Sequence, residues 1–455
     1  MPPSDIRSFP EMGSRPLPGG IGLVTCLSLV TATMVGTGVY TSLGFQLIDL
    51  QSGFSILLLW ALGGLISLCG ALSYAELAAA IPRSGGEYTY LSEIYHPALG
   101  FMAGCVSVLA GFAAPIALSA IAFGTYLHAA LPAISEKPAS FLVVILISLG
   151  HLRSLKLSEV VQNGMAAIKF LLLGLFLAVG IWSALKHPAS FRIFTPETGW
   201  KGSLHELTRP NAGIALIFVL YAYSGWNAPT YLAGEVHNRQ RIVGLSLILG
   251  TMIVTMLYML LNAVFLTAAP ASEMRGVLNV GSVAANHLLG HAGGRVMSGM
   301  IGIGLLASLS AMIWAGPRVI QRTGEDYALF ARFSRTTTGG IPLKATLLQL
   351  ILVLILVATG SFESVLVYAQ VPLLICLILG VGGVIVLRFQ RRTPASFRCP
   401  LYPMTPLLFI LCTLADLLYS SFSKPWITLA GLGTMIVPLL LHPWLASSNP
   451  RADPC

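Results

Sequence analysis

The sequence predicts an all-α polytopic membrane protein of about twelve transmembrane helices. Three observations carry that prediction. Only 9% of the 455 residues are Asp, Glu, Lys or Arg, against roughly 25% in soluble domains, so too few charges exist to solvate a surface of this size. Hydrophobic residues reach 55%, and the mean hydropathy is +0.81. Charged residues divide the chain into uncharged runs matching the about 20 residues a helix needs to cross hydrocarbon. The same scarcity of charge excludes an ordinary soluble enzyme, a disordered scaffold and a nucleic-acid partner.

In chain order, such runs lie between Arg15 and Asp49, Asp49 and Glu76, Glu93 and Glu136, Arg209 and Glu235, Arg241 and Glu273, Arg295 and Arg318, Lys344 and Glu363, Glu363 and Arg388, and Lys424 and Arg451. Three further spans complete the set, near Pro138 to Leu152, Ser158 to Leu185 with Lys169 inside, and Leu401 to Phe422 with Asp416 inside. With both termini on one side, 17 Lys and Arg fall on that side and eight on the other, which places both termini in the cytoplasm. The protein is expected in the cell (plasma or inner) membrane. The resulting plan is a cytoplasmic tail over 1–19, five helices over 20–185 and an extracytoplasmic loop over 186–209. Five more helices follow over 210–390, then two over 391–445 with a preceding cytoplasmic loop, and a cytoplasmic tail over 446–455. No apolar leader precedes the first span, so no cleaved signal peptide is expected. The seven cysteines show no CxxC or disulfide-framework spacing, and free thiols are expected.

Two spans carry helix breakers at their centres. Val35-Gly36-Thr37-Gly38-Val39 sits within an uncharged stretch too long for one straight helix. Unwinding there frees N–H groups at the start of the next half-helix and carbonyls at the end of the previous one. A small-residue packing seam is the alternative reading. Tyr221-Ala222-Tyr223-Ser224-Gly225-Trp226-Asn227-Ala228-Pro229 likewise frees backbone polar groups, which membranes tolerate only where they line a cavity or are buried in protein. A proline-kinked helix with packed aromatics is the alternative there. Breaks five spans apart are what an inverted repeat of five plus five helices produces, with substrate held near the midplane.

Together with the stretch Ile81-Pro82-Arg83-Ser84-Gly85-Gly86-Glu87-Tyr88-Thr89-Tyr90-Leu91, these two segments resemble the amino acid, polyamine and organocation transporter superfamily, and within it the L-type amino acid transporters and their bacterial relatives. The resemblance runs from about Gly20 to Pro443. It implies the leucine-transporter-type fold. It further implies that an amino acid's carboxylate meets the N–H groups of Gly36, Thr37 and Gly38, and that its ammonium meets Thr33, Met34, Tyr221 and Ser224. Tyr221 would form an aromatic gate, with Trp226 and Asn227 shaping the side-chain region. Neither break holds an acidic residue, which favours a neutral substrate.

Lys169 is the one basic residue left within a span, and an intramembrane charge is a functional signal unless it snorkels to the interface. In the resemblance a lysine at this place stands where sodium sits in sodium-coupled relatives, which implies sodium-independent exchange by alternating access. Proton coupling, a cationic amino acid or polyamine substrate, and a sensor that binds without flux remain open. The loop from Pro132 to Pro138 lacks the cysteine by which animal heteromeric transporters bond a heavy chain, so no disulfide-linked heavy chain is expected. No cofactor or metal is called for. His287 and His291 have ligand-like spacing but no adjacent Glu, and read as solvated loop histidines. Gly100 and Gly104 fit a packing motif, Asp416 reads as a paired or interfacial carboxylate, and Arg388, Arg391, Arg392 and Arg398 read as a basic loop on lipid headgroups.

Overall fold

A computed structural model describes residues 21–152, 155–186, 199–277, 279–337, 340–360, 362–390, 396–423 and 425–447. The expected tail 1–19, residues 187–198 of the 186–209 loop, Arg153, Arg391, Arg392 and Cys455 lie outside them. Apolar runs without charge form helices because a backbone that leaves water must satisfy its polar groups internally. The helices are α1 (Leu23–Met34), α2 (Thr37–Asp49), α3 (Gly53–Ala80), α4 (Glu87–Ile94), α5 (Pro97–Val106), α6 (Ala114–Ala130), α7 (Glu136–Gly150), α8 (Leu155–Lys186), α9 (Gly199–Leu207), α10 (Pro210–Ala222), α11 (Arg239–Ala268), α12 (Ala271–Met274), α13 (Val280–Ala315), α14 (Pro317–Asp326), α15 (Leu343–Thr359), α16 (Phe362–Phe389), α17 (Met404–Ser423) and α18 (Pro425–Ser447). A π-helical stretch, Ser107–Ala113, joins α5 to α6, and a 3-10 segment, Ala228–Glu235, continues α10 after a turn.

Among the described residues, eight helical segments are long and apolar enough to cross a membrane, and two shorter apolar helices lie at Leu343–Thr359 and Met404–Tyr419. Local chemistry sets several ends. Ser52 caps α3 by accepting from the Ser55 N–H at 3.4 Å, and prolines open α5, α10 and α14, where the missing N–H costs nothing. At the entrance to α4, Gly86 has φ 55, and a Cβ there would lie 2.5 Å from the Tyr231 ring, so both conformation and packing demand glycine.

The order of lengths repeats along the chain. α3 and α11 have 28 and 30 residues, α7 and α15 have 15 and 17, and α8 and α16 have 32 and 28. α1 packs between α11, α8 and α13, α2 lies against α10, and α3 against α11. The chain entering α1 also pairs with the far end of the 3-10 segment. The Ile21 N–H donates to the Glu235 carbonyl at 2.9 Å, and the His237 N–H to the Ile21 carbonyl at 3.0 Å.

Two expectations are corrected here. His287 and His291 lie on α13, on either side of a kink at Gly290 (φ 74), and His287 pairs with Glu273 at 2.7 Å; glycine absorbs the bend, so the chain stays helical where a loop was expected. Arg388 is not a lipid-facing loop residue. Its guanidinium forks onto buried Glu76 at 2.9 and 2.7 Å and lies 4.0 Å over the Tyr402 ring, because Glu76 in α3 would otherwise be a buried anion without a countercharge. Gly100 and Gly104 do serve packing, since a Cβ at either would strike Ser92 or the Tyr88 ring of α4.

Candidate functional site

The site is built where two helices stop short. α1 ends at Met34, Val35 and Gly36 leave helical geometry, and α2 starts at Thr37. The carbonyls at the end of α1 have lost their donors from the next turn, and side chains from three other helices replace them. Lys169 of α8 donates to the Val35 carbonyl, to the Ala32 carbonyl at 3.2 Å and to Ser308 Oγ at 2.8 Å. Three acceptors around one nitrogen match the three donors of an ammonium group. The Ser308 hydroxyl of α13 in turn donates to the Val35 carbonyl at 2.9 Å. The Tyr258 hydroxyl of α11 lies 2.5 Å from the Met34 carbonyl and 2.9 Å from that of Ala222, so one phenol spans both breaks.

The other side of the first break is positive. Gly36 carries no side chain to cap α2, and first-turn N–H groups have no partner within a helix, so the α2 N-terminus presents donors backed by its dipole. Gly36 itself donates to the Met34 carbonyl at 2.7 Å. Gly38 sits against α10: a Cβ there would fall 2.5 Å from Ala222 Cα.

The second break is longer. α10 ends at Ala222, the chain turns through Tyr223–Asn227 with Gly225 at φ +98, and a 3-10 segment follows. Thr33 donates to the Gly225 carbonyl at 2.9 Å, stitching the breaks together, while the Ser224 N–H closes the turn onto the Tyr221 carbonyl at 3.0 Å. The Tyr221 hydroxyl lies 3.2 Å from Thr37 Oγ1, across the start of α2. Thr33, Met34, Gly36, Thr37, Gly38, Tyr221 and Ser224 therefore converge. Trp226 and Asn227 point elsewhere. Trp226 packs edge-on against Tyr74, with ring centroids 4.9 Å apart, and against Phe409, while Asn227 donates to Glu87 at 2.5 Å.

Glu87 is buried and accepts from three side chains, Tyr74 at 2.9 Å, Asn227 and Tyr231. Its position in the Ser84–Tyr90 stretch was visible in sequence, but its partners lie on α3 and beyond α10. Tyr258 and Ser308 were missed too; their only signal is a lone hydroxyl in an apolar run. Beside the first break, Tyr40, Lys169, Met297, Met300 and Ile301 line a small crevice. Among the described residues no group of three or more His, Cys, Asp or Glu side chains is placed to hold a metal ion.

A second set of polar contacts lies at the end of the bundle that carries the start of α1. Arg318 pairs with Glu235 at 2.9 Å, Arg83 with Glu93 at 2.8 Å, and Tyr88 donates to Asp326 at 2.5 Å. At the same end His151 is buried with Nε2 2.9 Å from Ser310 Oγ.

Residues 21–435 match the model of a family described as amino acid permease. The chain is 28% identical to the serine/threonine exchanger SteT of Bacillus subtilis (strain 168), over 86% of this chain and 88% of that protein. It is 24% identical to the b(0,+)-type amino acid transporter 1 of Mus musculus, over 91% and 85%. It is 25% identical to the cystine/glutamate transporter of Homo sapiens, over 94% and 86%.

Proposed function

Since the chain belongs to the amino acid permease family, and is thus an amino acid transporter and not an enzyme, we propose that it is a sodium-independent exchanger of neutral L-amino acids working by alternating access. The carrying observation is the ammonium of Lys169 fixed on the Val35 carbonyl. It supplies the positive charge that the carbonyl end of α1 would otherwise draw from a bound cation. Above it, the uncapped start of α2 suits a substrate carboxylate at Thr37 and Gly38, with Gly36 joining once its N–H leaves Met34. The substrate ammonium takes the carbonyls of Thr33, Met34, Tyr221 and Ser224, with Tyr258 yielding Met34. Tyr221 closes over the pair. Neutral substrates are favoured because Glu87, the carboxylate tied to the second break, already has three donors. The serine/threonine exchanger among the relatives supports the same reading.

The repeated order of helix lengths supports a repeat of 20–185 against 210–390 and twelve spans with α7 and α10 included, and the excess of Lys and Arg on one side supports both termini in the cytoplasm. Exchange without bonded heavy chain and directly within the lipid bilayer is part of the proposal. The test is uptake of labelled neutral amino acids into sodium-free proteoliposomes, preloaded or empty. Stimulation by preloading is expected. An absolute requirement for sodium, or flux only of cationic substrates, would overturn the reading.

A further inference from the structure

Away from both breaks, α17 turns a polar stripe into the bundle. Thr405, Phe409, Thr413 and Asp416 are buried at helical spacing, while Leu407, Leu411, Leu414 and Leu418 face outward. Asp416 is 4% exposed and Gln370 of α16 is 7% exposed. The Gln370 amide donates to Asp416 Oδ2 at 3.3 Å and lies 3.5 Å from the Ile217 carbonyl of α10. The two remaining oxygens of this pair, Asp416 Oδ1 and Gln370 Oε1, are buried with no hydrogen-bond partner among the described residues.

Two acceptors left over on side chains that are already joined cannot satisfy each other without a proton. Adding one to Asp416 Oδ1 makes it a donor to Gln370 Oε1, and the pair becomes a closed acid–amide ring with every polar atom occupied. Leaving Asp416 ionised would bury an uncompensated charge and two orphaned acceptors. We propose that Asp416 and Gln370 form a proton-binding site in which the protonated carboxyl bridges α17 to α16, and through Gln370 to the first half of the second broken helix.

The elements packed on α17 are α3, α10, α16 and α18. Their ionisable side chains are engaged elsewhere: Glu76 with Arg388, Tyr74 with Glu87, Tyr221 with Thr37, Tyr368 with Thr434, and His442 against the His96 and Phe101 rings. Cys376 and Cys69 sit in buried apolar clusters, and on α17 itself Cys412 packs against the latter while Tyr419 packs on Gly213. Gln370 is thus the polar side chain that answers Asp416 among the described residues.

The test is infrared difference spectroscopy on the full chain in phosphatidylcholine vesicles, between about pH 5 and about pH 9, comparing wild type with Asp416→Asn and Gln370→Leu. Wild type minus Asp416→Asn is expected to show the C=O band of a protonated carboxylic acid at neutral pH. Gln370→Leu is expected to move that band to higher frequency, since its carbonyl oxygen loses an N–H donor. A difference spectrum containing only carboxylate bands across the whole range overturns the proposal. Should Asp416→Asn not assemble, Gln370→Leu against wild type decides alone: a shifted acid band supports the site, and its absence removes it. The measurement needs neither substrate nor flux, so its failure leaves the exchanger reading standing, and a failed uptake assay leaves this one standing.

Discussion

The two helix breaks solve one problem with opposite charges. At the first, between α1 and α2, orphaned carbonyls are gathered by a cation, Lys169, and the donor side is left bare. At the second, after α10, the turn is held from below by an anion, Glu87, which gathers Asn227 and Tyr231 from the broken segment and Tyr74 from α3. The first break is short and offers the N–H groups at the start of α2; the second is long, and side chains from outside it fix its turn. In the proposed exchanger the first receives the substrate carboxylate, while the second, its shape held by Glu87, shares in holding the ammonium.

That contrast is open to attack. The largest effect is expected from Lys169→Ala, which strips the Val35 and Ala32 carbonyls and Ser308 of a charged donor. A loss of about 3 kcal/mol, or roughly 100-fold in exchange rate, follows, read as initial uptake against wild type. Glu87→Gln should act chiefly on stability: one amide oxygen cannot replace a carboxylate accepting three bonds. The expected cost is about 2 kcal/mol in thermal unfolding, with substrate affinity little changed in the surviving protein. If Glu87→Gln instead abolished affinity and left stability alone, the contrast would collapse. Tyr258→Phe removes the hydroxyl shared by both breaks and should cost the substrate-free protein about 1 kcal/mol, seen as a lower thermal unfolding midpoint.

The smallest effect is expected at His151, whose Nε2 lies 2.9 Å from Ser310 Oγ, two residues along α13 from the Ser308 that meets the first break. His151→Gln keeps a polar group at that place and should cost no more than about 1 kcal/mol, read as a small fall in the thermal unfolding midpoint.

Much of this was readable from sequence where the signal is local. Glycine pairs, a proline and clustered aromatics marked both interruptions, and a lysine in an apolar run marked the brace. What sequence hid was partnership across distance. Arg388 looked like a lipid-facing loop residue because Glu76, its partner, is 312 residues away. Tyr258 and Ser308 resemble any hydroxyl in a helix until the fold brings them to α1. Trp226 and Asn227 sit beside the break in sequence, but the turn at Gly225 sends both side chains toward α3 and Glu87.

Glu235 spends its backbone on Ile21 and its carboxylate on Arg318. One residue thereby ties the lead-in to the first broken helix, the tail of the second, and α14 into a single knot. Mechanically this is a latch with a load path: strain entering at Ile21 reaches the second broken helix through two hydrogen bonds, and α14 through one ion pair.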